Sequence, residues 1–303
     1  MEKIIIDTDP GKDDALAIIL LALSNKVTIE AITTVAGNST IQNVTNNARY
    51  VVDLINKNIP IYSGSEKPLA QELNVANVHG DNGLSGVNVL KTQSLSNNAA
   101  DKIIEIVKAN PGQVSIVAIG PETNIALAIK KAPEITKIIK QLVIMGGAIS
   151  VPGNKNRVAE FNIFVDPEAA EIVFNSGVPI VLIPLDICNA TPLFMSDFEK
   201  ITNPVLKSPI KQMMDPYIKA IAKFEGQTGA LVYDALATYF FINPSAYELT
   251  PMDVRIESKG DLTRGMSVAD KRTWGEKSIN TRVVTKLDRE RFVTDFISIY
   301  NQH

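Results

Sequence analysis

Four carboxylates occur within eight residues near the start of the chain, in Asp7-Thr8-Asp9-Pro10-Gly11-Lys12-Asp13-Asp14, directly after the apolar run Ile4-Ile5-Ile6. Like charges this close raise one another's pKa, so the cluster needs compensating positive charge. Lys3, Lys12 and the N-terminus of a helix beginning near Asp13 supply part of that charge. A divalent cation that prefers oxygen ligands would supply the rest. A solvated turn before an acidic first helical turn is the alternative interpretation.

Asp234 is the best remote candidate to complete such a site. It lies in the apolar helical stretch Leu231–Ala237, where an unpaired carboxylate is costly to bury. Either it joins the metal site or it caps its helix.

Other side chains could recognise a sugar or a base. The donors and acceptors that vicinal hydroxyls require occur at Asn38, Asn154, Glu160 and Asn162. Each asparagine alone is typical of a turn, whereas Glu160 interrupts an apolar, strand-like run. His79 lies in the glycine-rich segment Asn74–Val89, which is long enough for an active-site loop. There it could be a general acid, a base-contacting group or a plain loop histidine.

The elements that must position these residues alternate between strand and helix patterns through the first two thirds of the chain. The predicted strands are Lys3–Asp7, Thr28–Val35, Ile59–Tyr62, Val114–Ile119, Gln141–Met145 and Ile180–Ile183. This pattern predicts an α/β fold with a mainly parallel, doubly covered, Rossmann-like sheet. Ligands bind outside the carboxyl ends of such strands, which is where the aspartate cluster and several glycines fall.

The last third of the chain follows a different pattern. Helical sequence from Ser196 to Ala237, interrupted by Gly226–Gly229 as by a hinge or lid, predicts a helical insertion near the active site. Three short strand-like segments predict a small antiparallel C-terminal element: Val254–Ile256, Ser267–Ala269 and Thr281–Val284. We expect residues 1–303 to form a single domain.

Composition excludes several classes of function. With a net charge of −3, the chain lacks the excess of positive charge that is typical of proteins that bind nucleic acid or an anionic membrane. We find no long apolar span and no leader, and Cys188 has no partner for an internal disulfide, so we expect a cytoplasmic protein. Serine hydrolases, P-loop NTPases and zinc ribbons lack their signature motifs here.

The chain resembles the inosine-uridine preferring nucleoside hydrolases over nearly its full length. The N-terminal motif Asp7 to Ala15 is highly specific for that family. Further matches are Ala31 to Asn38, His79-Gly80, Thr123 to Ala126, Met145-Gly146-Gly147, Ala159 to Asn162, Asp166 to Ala170, Asp234, and Gly265 to Asp270.

The resemblance implies hydrolysis of the N-glycosidic bond of purine or pyrimidine ribonucleosides by a calcium-bound water, and assembly into a homodimer or homotetramer. It implies these metal ligands: Asp9, Asp14, Asp234 and the carbonyl of Ile119. Asp9 would also be the general base, with Asp7 supporting the others. It implies these substrate contacts: Asp13, Asn38, Met145, Asn154, Glu160 and Asn162.

Two positions depart from the family pattern. Tyr233 stands where some members carry a catalytic histidine, and it could donate a proton to the leaving base or stack on it. Ile119 replaces a threonine, although the implied role belongs to the backbone. We therefore take Asp9, His79 and Tyr233 as the candidate catalytic residues. A haloacid-dehalogenase-like phosphatase and a non-catalytic nucleoside-binding protein are the alternative hypotheses.

Overall fold

A computed structural model describes residues 1–76, 79–80, 82–91, 95–224 and 226–302. Within the predicted loop Asn74–Val89, residues Asn77, Val78 and Asp81 lie outside the described residues.

An eight-stranded sheet forms the centre of the structure, in the order β3-β2-β1-β4-β5-β6-β10-β7. The strands are β1 (Glu2–Thr8), β2 (Val27–Thr34), β3 (Ile61–Ser63), β4 (Val114–Ala118), β5 (Gln141–Met145), β6 (Ile180–Ile183), β7 (Tyr247–Met252), β8 (Val254–Glu257), β9 (Met266–Ala269) and β10 (Thr281–Leu287). All neighbours in the large sheet pair in parallel except β7, which is antiparallel to β10, and β8 and β9 form a separate antiparallel pair. The structure therefore confirms the predicted α/β class.

Helices cover both faces of this sheet. They are α1 (Lys12–Leu23), α2 (Ile41–Leu54), α3 (Ala99–Ala109), α4 (Thr123–Lys131), α5 (Phe161–Val165), α6 (Pro167–Phe174), α7 (Leu185–Cys188), α8 (Met195–Phe198), α9 (Lys207–Phe224), α10 (Tyr233–Ile242) and α11 (Arg289–Tyr300). On one face α1 packs against α2, α9, α10 and α11, and on the other α4 packs against α3 and α6. None of the helices in the described part of the chain has the length and apolar character needed to cross a membrane.

The continuous isoleucine run of β1 follows from this double cover. Ile4 and Ile6 join the apolar cluster on the α1 side of the sheet, whereas Ile5 joins the cluster on the α4 side. Because successive side chains of a strand point to opposite faces, a strand covered on both sides needs apolar residues throughout.

The C-terminal prediction is wrong for one segment. Thr281–Val284 does not join the small antiparallel element, because β10 inserts into the large sheet beside β6 and β7. The sequence analysis also missed β7 (Tyr247–Met252). The small element consists of β8 and β9 alone.

The side of the sheet on which successive strands are added changes between β1 and β4. From β1 the chain proceeds to β2 and β3 on one side, and it then crosses to β4, β5 and β6 on the other. The carboxyl ends of β1 and β4 therefore form the topological switch point, at which open α/β sheets bind their ligands.

Candidate active site

A cavity of about 240 Å³ opens at the switch point. It is lined by Asp13, Asn38, Ala76, His79, Ile119, Met145, Asn154, Lys155, Glu160, Phe161, Asn162, Tyr217, Phe224, Tyr233 and Asp234. Every candidate residue from the sequence lies on this wall except Asp9 and Asp14, which are fully buried. The fold therefore assembles the candidates from segments more than 200 residues apart.

Three carboxylates of the site lie close enough to share one cation. Oxygen atoms of Asp13, Asp14 and Asp234 lie within 4.8 Å of one another, and all three residues are buried. Burial, followed by the charges of Asp13, Asp14 and Asp9, raises the pKa of Asp234 well above its usual range. Burial also raises the pKa of Asp14. Asp234 does not cap α10, because the cap position is Val232 and it makes no side-chain capping bond.

Asp14 lies at the N-terminus of α1, where surrounding groups fix both of its oxygens. Oδ1 accepts a hydrogen bond from the Thr8 hydroxyl at 2.6 Å, and Oδ2 accepts from the backbone N–H of Gly11 at 2.9 Å and from Asn38 Nδ2 at 3.1 Å. The positive end of the helix dipole adds to these contacts.

Asp9 is held between two loops that follow β2 and β4, the strands on either side of β1. Its Oδ2 accepts a hydrogen bond from the backbone N–H of Asn38 at 2.6 Å. A Cβ atom on Gly37 would lie 2.1 Å from that oxygen, and one on Gly120 would lie 2.8 Å from Oδ1. Burial, followed by the charge of Asp14, raises the pKa of Asp9 well above its usual range.

The donor set fits a hard divalent cation. Within the described ranges the buried Asp9 Oδ1 has no hydrogen-bond partner, and the neighbouring cluster offers only carboxylate oxygens. Oxygen ligands of this kind suit Ca²⁺ or Mg²⁺. The family resemblance implies that Asp9 binds the metal and that Asp13 contacts the sugar, whereas the group of close carboxylates contains Asp13 and not Asp9.

His79 belongs to a buried stack beside the carboxylates. Its Nδ1 accepts a hydrogen bond from the backbone N–H of Lys12 at 3.2 Å, which places the ring proton on Nε2, 3.8 Å from Asp13 Oδ1. Its ring stacks on Tyr217 with 5.5 Å between centroids, and Lys12 Nζ lies 5.8 Å from the Tyr217 centroid. Burial and the charge of Lys12 lower the pKa of His79 to about 3. Burial and the charge of Lys12 thus favour the neutral form of the His79 ring.

Glu160 is the N-cap of α5 rather than part of a strand. Its carboxylate accepts hydrogen bonds from the backbone N–H groups of Asn162, Gly147 and Ile163 at 2.9, 3.1 and 3.2 Å. These bonds favour the ionised form, but burial is the larger effect and raises the pKa of Glu160 to about 7.

Asn162 and Asn154 connect α5 to the rest of the wall. Asn162 Nδ2 donates to the carbonyls of Met145 and Ile119 at 3.2 and 3.3 Å. Asn154 Oδ1 accepts from the backbone N–H of Phe161 at 3.0 Å. The Ile119 carbonyl, implied as a metal ligand by the resemblance, therefore lies in contact with an implied sugar-binding residue.

Asp7 is buried within the sheet, two residues before Asp9. Its Oδ1 accepts hydrogen bonds from the Thr33 hydroxyl at 2.5 Å and from Asn124 Nδ2 at 2.9 Å. Burial raises its pKa to about 7. Asp7 does not line the cavity, and its supporting role stays a prediction.

Five residues on the wall were missed by the sequence analysis: Ala76, Lys155, Phe161, Tyr217 and Phe224. Tyr217 and Phe224 lie on α9, whose apolar positions look in sequence like an ordinary buried helix face. The loop positions of Ala76 and Lys155 carry no sequence signal that we can identify. Phe161, Tyr217 and Phe224, together with Tyr233, give the cavity wall four aromatic rings.

Comparison with known proteins reveals relatives over the whole fold. Residues 4–294 match the family model described as inosine-uridine preferring nucleoside hydrolase. The pyrimidine-specific ribonucleoside hydrolase RihA of Shewanella sp. (strain ANA-3) is 38% identical, covering 98% of this chain and 96% of the relative. Among solved structures, the plant nucleoside hydrolase PpNRh1 matches with a TM-score of 0.93 and 29% identity, covering 100% of this chain and 99% of its own. The purine-preferring ribonucleoside hydrolase from Gardnerella vaginalis matches with a TM-score of 0.91 and 31% identity, covering 99% and 98%.

Proposed function

The chain belongs to the inosine-uridine preferring nucleoside hydrolase family of N-glycosyl hydrolases, and on that premise we propose that it cleaves ribonucleosides to ribose and free base with Ca²⁺ as its cofactor. The observation that carries the proposal is the group of three buried carboxylates at the switch point, directly beside a cavity of nucleoside size.

The metal would be held by Asp14 and Asp234, with Asp13, Asp9 and the Ile119 carbonyl as further oxygen donors. When bound, a divalent cation lowers the pKa of water and compensates the carboxylates. We propose that Asp9 accepts the proton of the attacking water through Oδ1, since Oδ2 already accepts from Asn38.

The ribose would be bound by the polar part of the wall. Glu160, Asn154, Asn162, Asn38 and Asp13 offer the acceptors and donors for its hydroxyls, and Met145 would lie beneath the ring. Cleavage passes through an oxocarbenium-like state, and the surrounding carboxylates stabilise its positive charge. Hydrogen bonds to the hydroxyls strengthen as that charge develops.

The base would lie against the aromatic part of the wall. Tyr233 is buried and lines the cavity, and we propose that its ring stacks on the purine or pyrimidine base. We propose that His79 binds beside Asp13 as a neutral donor and does not protonate the base. The relatives include pyrimidine-specific and purine-preferring enzymes, so the base preference is a question for assay.

One assay separates the proposal from its alternatives. We expect ribose to be released from inosine, uridine or both, with loss of activity in chelator and recovery with Ca²⁺. Phosphate release from p-nitrophenyl phosphate without ribose release would support the phosphatase hypothesis. Nucleoside binding without turnover would support the non-catalytic one.

Asp9→Ala should abolish ribose release, because it removes the proposed base and a candidate oxygen donor. Loss of this base should cost on the order of 10³-fold or more in kcat. Asp53→Ala, at an exposed position of α2, is the matched control. Near-wild-type activity of Asp9→Ala would refute the assignment.

Tyr233→Phe should retain turnover, because the phenylalanine ring keeps the stacking surface but has no hydroxyl. We expect kcat within about threefold of wild type, and Tyr233→Ala to be far slower. A large loss of kcat in Tyr233→Phe would instead assign proton donation to the hydroxyl.

Three further expectations stay predictions: that the protein is cytoplasmic, that it takes part in nucleoside salvage, and that it assembles into a homodimer or homotetramer. Gel filtration with light scattering would test the assembly.

A further inference from the structure

The two residues with the most backbone contacts in the proposed ribose site, Glu160 and Asn162, depend on a very short helix. Glu160 caps α5, and Asn162 lies in its first turn. A helix of five residues is not stable alone, and its last carbonyls need partners from outside. Pro167 prevents α5 from continuing into α6, because proline has no N–H to donate.

The missing partner comes from Gln71, in the segment that leads to the His79 loop. Its Nε2 donates to the carbonyls of Phe164 and Val165 at 2.8 and 2.6 Å. Both bonds bridge more than 90 residues of sequence. One side-chain amide thus closes the C-terminal end of α5.

Gln71 is itself held in one orientation. Its Oε1 accepts a hydrogen bond from Arg264 Nη2 at 3.2 Å, and the same nitrogen pairs with the Glu168 carboxylate at 2.7 Å. The Arg264 contact distinguishes the oxygen of the amide from its nitrogen, so the nitrogen must face α5. The side chain therefore has a defined donor and a defined acceptor.

A second contact between the same segments limits how far they can move. The Asp166 carboxylate, at the junction of α5 and α6, accepts from the backbone N–H of Leu69 at 2.9 Å and from the Thr123 hydroxyl at 2.7 Å. Five residues beyond Gln71 the chain reaches Ala76 on the cavity wall. Gln71 thus stands between the start of the active-site loop and the helix of the sugar-binding residues.

We propose that Gln71 is a positioning residue for ribose recognition, which fixes the C-terminal end of α5 and thereby the direction of Glu160 and Asn162. The inference rests on the proposed function, because it takes these two residues as ribose contacts. Gln71 itself is absent from the cavity wall and acts through α5.

Two substitutions separate the donor from the rest of the side chain. Gln71→Ala removes both the amide donor and the amide acceptor. Gln71→Glu keeps the size of the side chain and the acceptor for Arg264, but it cannot donate to the α5 carbonyls. We expect both to raise KM for the preferred nucleoside about tenfold, with kcat changed less than about threefold. Calcium affinity, measured by calorimetry, should stay within about twofold, because none of the carboxylates of the metal cluster lies on α5.

A double-mutant cycle identifies the route of the effect. In a Glu160→Gln background, Gln71→Ala should raise KM by less than about threefold, because the contact that it positions is already impaired. Gln113→Ala, at an exposed glutamine remote from the site, should behave as wild type.

Three results would overturn the inference: wild-type KM in Gln71→Glu, full additivity with Glu160→Gln, or an equal loss in Gln113→Ala. Calorimetry of ribose binding to the Ca²⁺-loaded wild type and variants makes the same comparison without turnover. One result would refute the proposed function and still support the positioning role. In that case the wild-type protein binds ribose more tightly than Gln71→Glu does, but it releases no ribose from nucleosides. A chain that neither binds ribose nor releases it would overturn both.

Discussion

Gly37 and Gly120 lie against the two oxygens of the Asp9 carboxylate, and neither position has room for a Cβ atom. A glycine after a strand is individually weak evidence of function, because many turns favour it. Here the close approach of a charged group gives the two glycines a specific purpose: they let the backbone of two loops reach one buried carboxylate. Substitution of either would force Asp9 to move.

Glu160 should control the lower limit of the pH range of activity. Burial raises its pKa to about 7, and in the proposed ribose site its ionised form would be the stronger acceptor for the ribose hydroxyls. We therefore expect kcat/KM to fall as the pH drops below about 7, approaching tenfold per pH unit. Glu160→Gln should lower kcat/KM and abolish this acidic limb.

Profiles of kcat/KM between about pH 5 and about pH 9, at saturating Ca²⁺, provide the measurement. The exposed Glu134→Gln serves as the control and should keep the wild-type profile. An unchanged acidic limb in Glu160→Gln would show that another group is responsible.

At the scale of elements, Asn47 of α2 connects the segment that leads into α1, the helix that carries Asp13, with the loop that carries His79. Its Nδ2 donates to the carbonyls of Pro10 and Asn82, both at 2.8 Å. Asn47→Ala should free residues 82–91 from α2. It should lower the free energy of unfolding by about 1–3 kcal/mol, because two buried carbonyl acceptors lose their donor. Hydrogen exchange should then accelerate in residues 82–91.

The matched control is Asn43→Ala on the same helix, where the amide contacts only the Ser39 hydroxyl among the bonds resolved for it. We expect its exchange at 82–91 to equal that of wild type. Unaltered exchange in Asn47→Ala would contradict the connecting role.

The elements differ in how far sequence alone could define them. Each of the first six strands lies within two residues of its predicted bounds, because apolar runs between helical patterns are a strong local signal. The partners of β10 could not be predicted in the same way. Its alternating pattern indicates a strand, but its parallel neighbour β6 lies about a hundred residues earlier.

The residues of the candidate site also differ in how far sequence alone could identify them. The carboxylates stood out because of their sequence surroundings, since an acidic residue among apolar ones is costly to bury without a partner. The asparagines of the polar wall are typical of turns in sequence, and their roles came from the family resemblance. Tyr217 and Gln71 could not be found, because an aromatic residue on an amphipathic helix and a glutamine in a loop have ordinary local roles. Their contacts span 138 residues to His79 and 93 to Phe164.

At the scale of the whole molecule, the buried carboxylates should make stability depend on pH and metal together. Burial raises the pKa of Asp9, Asp14 and Asp234, and that of Glu160 to about 7. A carboxyl group whose pKa is raised on folding binds its proton more tightly in the folded state. Its contribution is therefore complete below the unfolded pKa of about 4 and is lost as pH rises through the folded value.

The free energy of unfolding of the metal-free protein should accordingly decrease from about pH 5 to about pH 8. Bound as proposed, Ca²⁺ would replace protons as the counter-charge, so the increase in Tm that saturating Ca²⁺ produces over EDTA should be larger at about pH 8 than at about pH 5.5. Thermal unfolding across this range provides the measurement. Asp234→Asn should flatten both trends, because it removes a carboxylate whose ionisation is opposed by burial and by three neighbouring charges. The same Ca²⁺ shift at both pH values would mean that this cluster does not bind the metal as carboxylates.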